Sequence, residues 1–125
     1  MAGAPSHFEI GVPDARRAKA FYGELLGWSF RTTTGENAWI ETGGVRGGVH
    51  HGDDASQIVV YFRVPDIEAA VRRVRELGGE ATDPGPGGEG GRFTSCRDDQ
   101  GVRFGLHQPG RGLTERKGTS GFATA

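Results

Sequence analysis

HFEIGVPDARRAKAFYGELLGW (His7–Trp28) and IVVYFRVPDIEAAVRRVRELGG (Ile58–Gly79) carry the same plan twice. Val12-Pro13-Asp14 returns as Val64-Pro65-Asp66, a shift of 52, and the same shift sets Ala18 on Ala70, Glu24 on Glu76, Leu25 on Leu77 and Gly27 on Gly79. Further along, Gly44-Val-Arg-Gly-Gly-Val-His50 returns as Gly101-Val-Arg-Phe-Gly-Leu-His107, now shifted by 57. The five extra residues belong to the Gly/Pro-rich stretch from Asp83 to Gly91. Two matches in one order, with one insertion between them, mark an internal duplication.

Each copy reads as strand, helix, then three short strands. His7–Val12 and Ile58–Val64 alternate and are rich in strand formers. Each runs into Pro-Asp, and an aspartate there can accept hydrogen bonds from the free N–H groups of a helix's first turn. The apolar positions Ala18, Phe21, Tyr22, Leu25 and Leu26 recur at helical spacing, as do Ile67, Ala70, Val71, Val74 and Leu77. Both sets predict a buried stripe. Gly27 and Gly78-Gly79 are stop signals. The following strands are expected near residues 28–32, 37–42 and 45–50, and near 80–82, 92–96 and 102–107. The fold class is therefore α+β: a single domain over residues 1–125, with module one at 6–51, a linker at 52–57, module two at 58–108 and a tail at 109–125.

Composition narrows the classes of function. With 15 basic and 16 acidic residues, the chain has no charge footprint for nucleic acid or a membrane surface. No apolar run approaches the roughly 20 residues a membrane helix needs, and the start lacks the pattern of a signal peptide. Cys96 is the one cysteine, so a disulfide within the chain is impossible, and a cytoplasmic location is expected. Short strands leave edges that invite pairing, so a homodimer is expected.

The tandem βαβββ repeat resembles the vicinal oxygen chelate superfamily, which includes glyoxalase I, bleomycin resistance proteins and extradiol dioxygenases. His7-Phe-Glu-Ile-Gly-Val-Pro-Asp14, Phe21-Tyr22 and Leu26-Gly27-Trp28 look like its opening strand and helix end. Asp98-Asp-Gln-Gly101 and the strand to His107 look like its closing turn. The resemblance covers roughly residues 6–108 and implies a cupped mixed sheet around a cavity. It also implies four equivalent metal-ligand positions, which fall here on His7, Gly48, Val59 and Gly105. Two glycines and a valine offer no donor, and catalytic sites normally use about three protein ligands. No metal and no cofactor is expected.

Strand alternation names what else shares those faces. Glu9 lies with His7, Arg46 and His50 with Gly48, Tyr61 and Arg63 with Val59, and His107 with Gly105, while Trp39 and Glu41 share a middle strand. His51 has the opposite parity to His50 and is expected to face solvent. The expected ligand-binding set is thus Trp39, Glu41, Gly48, His50, Val59, Tyr61, Arg63, Gly105 and His107, with Glu9 and His7 as the catalytic pair if there is chemistry. The function implied is a metal-free, glyoxalase- or bleomycin-resistance-like protein that binds a small organic molecule, the glycines opening space for it. The alternatives are a lyase, isomerase or dioxygenase of the same superfamily using Glu9 and His7, or a non-standard metal site of His7, His50 and His107.

Overall fold

The structure is a computed structural model and describes residues 2–110. Its order is β1 (Pro5–Val12), α1 (Ala15–Leu26), β2 (Ser29–Thr32), β3 (Ala38–Glu41), β4 (Gly47–His51), β5 (Gln57–Arg63), α2 (Ile67–Glu76), β6 (Glu80–Ala81), β7 (Arg92–Arg97) and β8 (Arg103–Gln108). This is the α+β class, strand–helix–three strands twice over. The chain forms two compact units, Pro5–Val60 and, of the described residues, 61–110 together with 2–4, and each is described by itself. The expected tail lies, from residue 111 on, outside the described residues.

In the first unit β1 pairs in parallel with β4, β4 antiparallel with β3, and β3 antiparallel with β2. The parallel pair needs a crossover, and α1 begins it. Ile10, Ala38, Ile40 and Val49 point to the α1 side and bury against Ala15 and Ala18, with Phe8, Val12, Tyr22, Trp28 and Phe30 packed around them. The second unit repeats the plan: β5 is parallel to β8, β8 antiparallel to β7, and β7 antiparallel to β6. Its core joins Ile67 and Val71 to Cys96 and Leu106.

Both helices start in the same way. Asp14 accepts from the Arg16 and Arg17 N–H groups, and Asp66 from that of Ala69. A second acceptor comes from the end of each module's last strand: His51 Nδ1 takes the Ala15 N–H at 3.0 Å, and Gln108 Oε1 takes the Ile67 N–H at 2.9 Å. Residues 51 and 108 are equivalent positions of the repeat, so one device satisfies the first orphan donor of each helix. His51 is exposed, as parity predicted, and its ring also has this backbone partner. At the far end Gly27 has φ of 73° and Gly78 of 94°, the left-handed turn that glycine adopts without strain.

The α1 stripe differs from the expectation. Phe21 is 61 % exposed and Leu25 63 %, and Leu26 is also exposed, whereas Ala15 and Ala18 are buried. The helix seats itself on its small residues, which let it lie close to the sheet. Phe21 stands on the adjacent ridge, edge-on to Tyr22. In α2 the stripe holds as read through Ile67, Val71 and Val74, although Leu77 at its end is exposed.

Candidate active site on the first module

On the side of β1 and β4 away from α1, register places Glu9 directly opposite Gly48, and Gly48 directly opposite Trp39. A Cβ on residue 48 would stand 2.8 Å from Glu9 Oε1. The glycine is thus the seat of a carboxylate. The expectation that it opens space for a ligand is corrected, because Glu9 itself takes that space.

Two imidazoles hold this carboxylate. His7, 2 % exposed, has its Nε2 at 2.5 Å from Glu9 Oε2. Glu9 is ionised and can only accept, so His7 Nε2 carries the proton. Glu9 Oε1 is shielded from solvent, finds no donor of good hydrogen-bond geometry among the described residues, and lies against His50 Nε2. His50 acts on the carboxylate first through its close N–H approach and then through its charge. Burial alone would push Glu9 up; His50 and His7 together outweigh it and hold the carboxyl at about 2, well below its ordinary 4.5. The same contact with Glu9 raises His50 above the ordinary imidazole value, against its partial burial. The His50 side chain is 54 % exposed. Of the two imidazoles it is the one that reaches solvent. Glu9, expected as the base, is held low and is only weakly basic.

Trp39 meets His7 edge-on, with ring centroids 5.9 Å apart. The Arg46 guanidinium lies over the same indole at 4.1 Å. Arg46 was placed on this face by alternation, but its stacking on Trp39 had no signature in the sequence. Glu41, also on β3, is exposed.

The equivalent face of the second module is built differently. Tyr61 stands opposite Gly105, and its ring fills the place a Cβ there would need. Phe93 packs edge-on against Tyr61 and flat on His107, 4.6 Å between centroids and 4° between planes. His107 is 7 % exposed, and its Nε2–H donates to the Gly90 carbonyl at 2.7 Å. Val59 is buried, and Arg63 is half-buried. Here too the glycine is occupied, and the histidine is tied to the insertion loop.

The sequence profile of the Glyoxalase/Bleomycin resistance protein/Dioxygenase superfamily matches residues 4–106. The chain belongs to this superfamily. No curated protein sequence matches it. Methylmalonyl-CoA epimerase from Mycobacterium tuberculosis shares the fold with a TM-score of 0.67 at 21 % identity, covering 88 % of this chain and 90 % of that one. A hypothetical protein from Bacillus halodurans C-125 does so at 0.73 and 16 %, covering 92 % and 100 %. A variant of Streptomyces coelicolor methylmalonyl-CoA epimerase in complex with 2-nitronate-propionyl-CoA does so at 0.67 and 17 %, covering 89 % and 100 %. At these identities the likeness is one of fold, and function has to be argued from the site.

The superfamily's metal positions do not fit a cation here. His7 donates to Glu9, the Gly48 seat holds that carboxylate, the Gly105 seat holds a tyrosine ring, and Val59 is apolar. Among the described residues, no group of three or more His, Cys, Asp or Glu is arranged to hold a metal ion. The described helices are also too short and polar to cross a membrane.

Proposed function

We propose that this superfamily member binds a small organic molecule on the first module, at the face formed by His7, Glu9, Trp39 and His50, without a metal ion. The observation that carries the reading is the Glu9 carboxylate seated over Gly48 between two imidazoles. It is a preorganised polar centre beside a half-buried indole, the combination that fixes ligand orientation in small-molecule sites. In the second module, taken by itself, Val59, Tyr61, Arg63, Gly105 and His107 remain candidate ligand contacts. We also infer a homodimer acting in the cytoplasm, a reading supported by the short edge strands β2 and β6 and by the exposed Phe21, Leu25 and Leu26.

A second reading, an enzyme of lyase or isomerase type, is favoured by the same cluster. A buried, ionised carboxylate that orients an exposed imidazole is a general acid–base arrangement. His50 would then move the proton, with Glu9 and His7 positioning it. Acyl-CoA esters, bound by the epimerase neighbours, are the compounds to try first.

Native mass spectrometry of freshly purified protein tests the main reading. A dimer carrying a small organic adduct and no stoichiometric metal is expected. Near-stoichiometric divalent metal, lost in His7→Ala and His50→Ala variants, would overturn it.

A further inference from the structure

α1 carries a face that its own unit does not use. The helix sits on the sheet through Ala15 and Ala18, and leaves Phe21 and Leu25 exposed. Arg17 and Glu24 are exposed as well, and neither side chain makes an ion pair among the described residues. Beside Phe21, toward the start of the helix, lies an open groove of about 540 Å³, roomy enough for a leucine side chain and lined by Val12, Pro13, Arg17, Ala18, Phe21 and Tyr22.

We propose that this face docks a second copy of the chain, the two α1 helices lying antiparallel across a two-fold axis at Phe21, with Leu25 of each protomer in the groove of the other. The inference rests on the homodimer reading above and assigns its surface.

Helical geometry gives the face two flanks. At about 100° per residue, Arg17 and Glu24 lie about 40–60° to one side of Phe21, and Leu25 about 40° to the other. Two turns separate Arg17 from Glu24, roughly 10 Å along the axis, so the two cannot pair within one helix. A two-fold axis through Phe21 reverses the order of residues and keeps each flank facing its own kind. Position 17 of one copy then stands opposite position 25 of the other and beside position 24. On one flank Leu25 meets the partner's groove; on the other Arg17 meets the partner's Glu24, and both contacts occur twice. The patch is self-complementary, as an isologous contact must be. The apolar flank supplies most of the attraction, because exposed ion pairs add little. The charges select the direction, since parallel helices would set Arg17 on Arg17 and Glu24 on Glu24. The repeat supplies a control: α2 has Ala69 and Arg73 where α1 has Arg17 and Phe21, and its Arg73 pairs with Glu76.

Sedimentation of the full chain over a range of concentrations tests the docking. Arg17→Glu and Glu24→Arg each set two like-charge pairs across the axis and are expected to raise the dimer dissociation constant at least about tenfold. The double variant exchanges the signs and is expected to return to within about threefold of the wild type. Arg73→Glu, the same change of charge on α2, should leave the constant unmoved. Melts of dilute protein check that each variant folds, which the seat on Ala15 and Ala18 does not tie to docking. Where one fails, Arg17→Gln and Glu24→Gln replace it, with about threefold loss from either alone and no further loss together. A dimer indifferent to both single variants, or one that the double variant does not restore, would overturn the α1 docking and leave the homodimer to another surface. A monomeric wild-type chain at micromolar concentration would overturn both.

Discussion

The two modules are copies that solved one packing problem in opposite ways. At the position where β1 and β5 cross a glycine on the last strand, the first module places a carboxylate, Glu9 over Gly48, and the second an aromatic ring, Tyr61 over Gly105. The neighbours follow suit. The first module has buried His7 and exposed His50 around its charge; at the equivalent positions the second has a buried Val59 and a buried His107 stacked on Phe93. A buried carboxylate is costly unless it is paired, so Glu9 comes with its imidazoles. An aromatic ring requires no such company and packs on Phe93. The difference teaches that the two copies share one backbone seat and fill it with a paired charge on one side of the repeat and with an aromatic ring on the other.

The comparison can be broken at several points, and the largest effect is expected in the helices. Ile67→Ala, at a fully buried position, should cost about 3–4 kcal/mol in denaturant melts. Phe21→Ala, exposed on α1, should cost less than about 1 kcal/mol. The reverse order would mean that α1 docks through its large residues after all.

Acid is the next lever. Glu9 is held at about 2 against an ordinary 4.5. Its folded value is depressed, so its contribution is full above the unfolded value and is lost as pH falls through the folded one. That window runs from roughly pH 4.5 down to about 2 and is worth up to about 3 kcal/mol. Stability measured against pH should show this limb in the wild-type protein, and Glu9→Gln should flatten it.

The glycine seats come third. Gly105→Ala drives a methyl into the Tyr61 ring and should cost about 2–3 kcal/mol. Gly48→Ala puts one 2.8 Å from a carboxylate oxygen, and because the imidazoles hold that carboxylate in place it should cost about 1–2 kcal/mol. Thermal melts of both, with Glu9→Ala added to the second, check whether the clash is with Glu9. The smallest effect belongs to the shared helix device: His51→Ala and Gln108→Ala should each lose about 1 kcal/mol, and by similar amounts.

Much of the fold was legible because the repeat is written in residues whose signals are strong. Val-Pro-Asp before each helix, glycine after it and alternation in each flanking strand placed both helices and all eight strands to within a residue or two. The α1 face was misread for a physical reason. Alanines carry little periodic signal, so the line through Ala15 and Ala18 was outweighed by Phe21, Leu25 and Leu26. Alternation correctly set Glu9 beside His7 and Gly48 beside His50. The Glu9–Gly48 contact itself stayed invisible, since it depends on which residue of β1 falls opposite which residue of β4, and a glycine is equally consistent with an empty seat and a filled one. Arg46 over Trp39 was hidden likewise, because stacking between neighbouring strands leaves no spacing rule.

The central claim is that Glu9 and His50 are electrostatically one unit. A pH titration of the His50 ring by NMR, in the wild-type protein and in Glu9→Gln, tests it most directly. The account predicts a midpoint above the ordinary 6.5 in the wild type that falls when the carboxylate becomes an amide. A midpoint at the ordinary value, unmoved by Glu9→Gln, would contradict it.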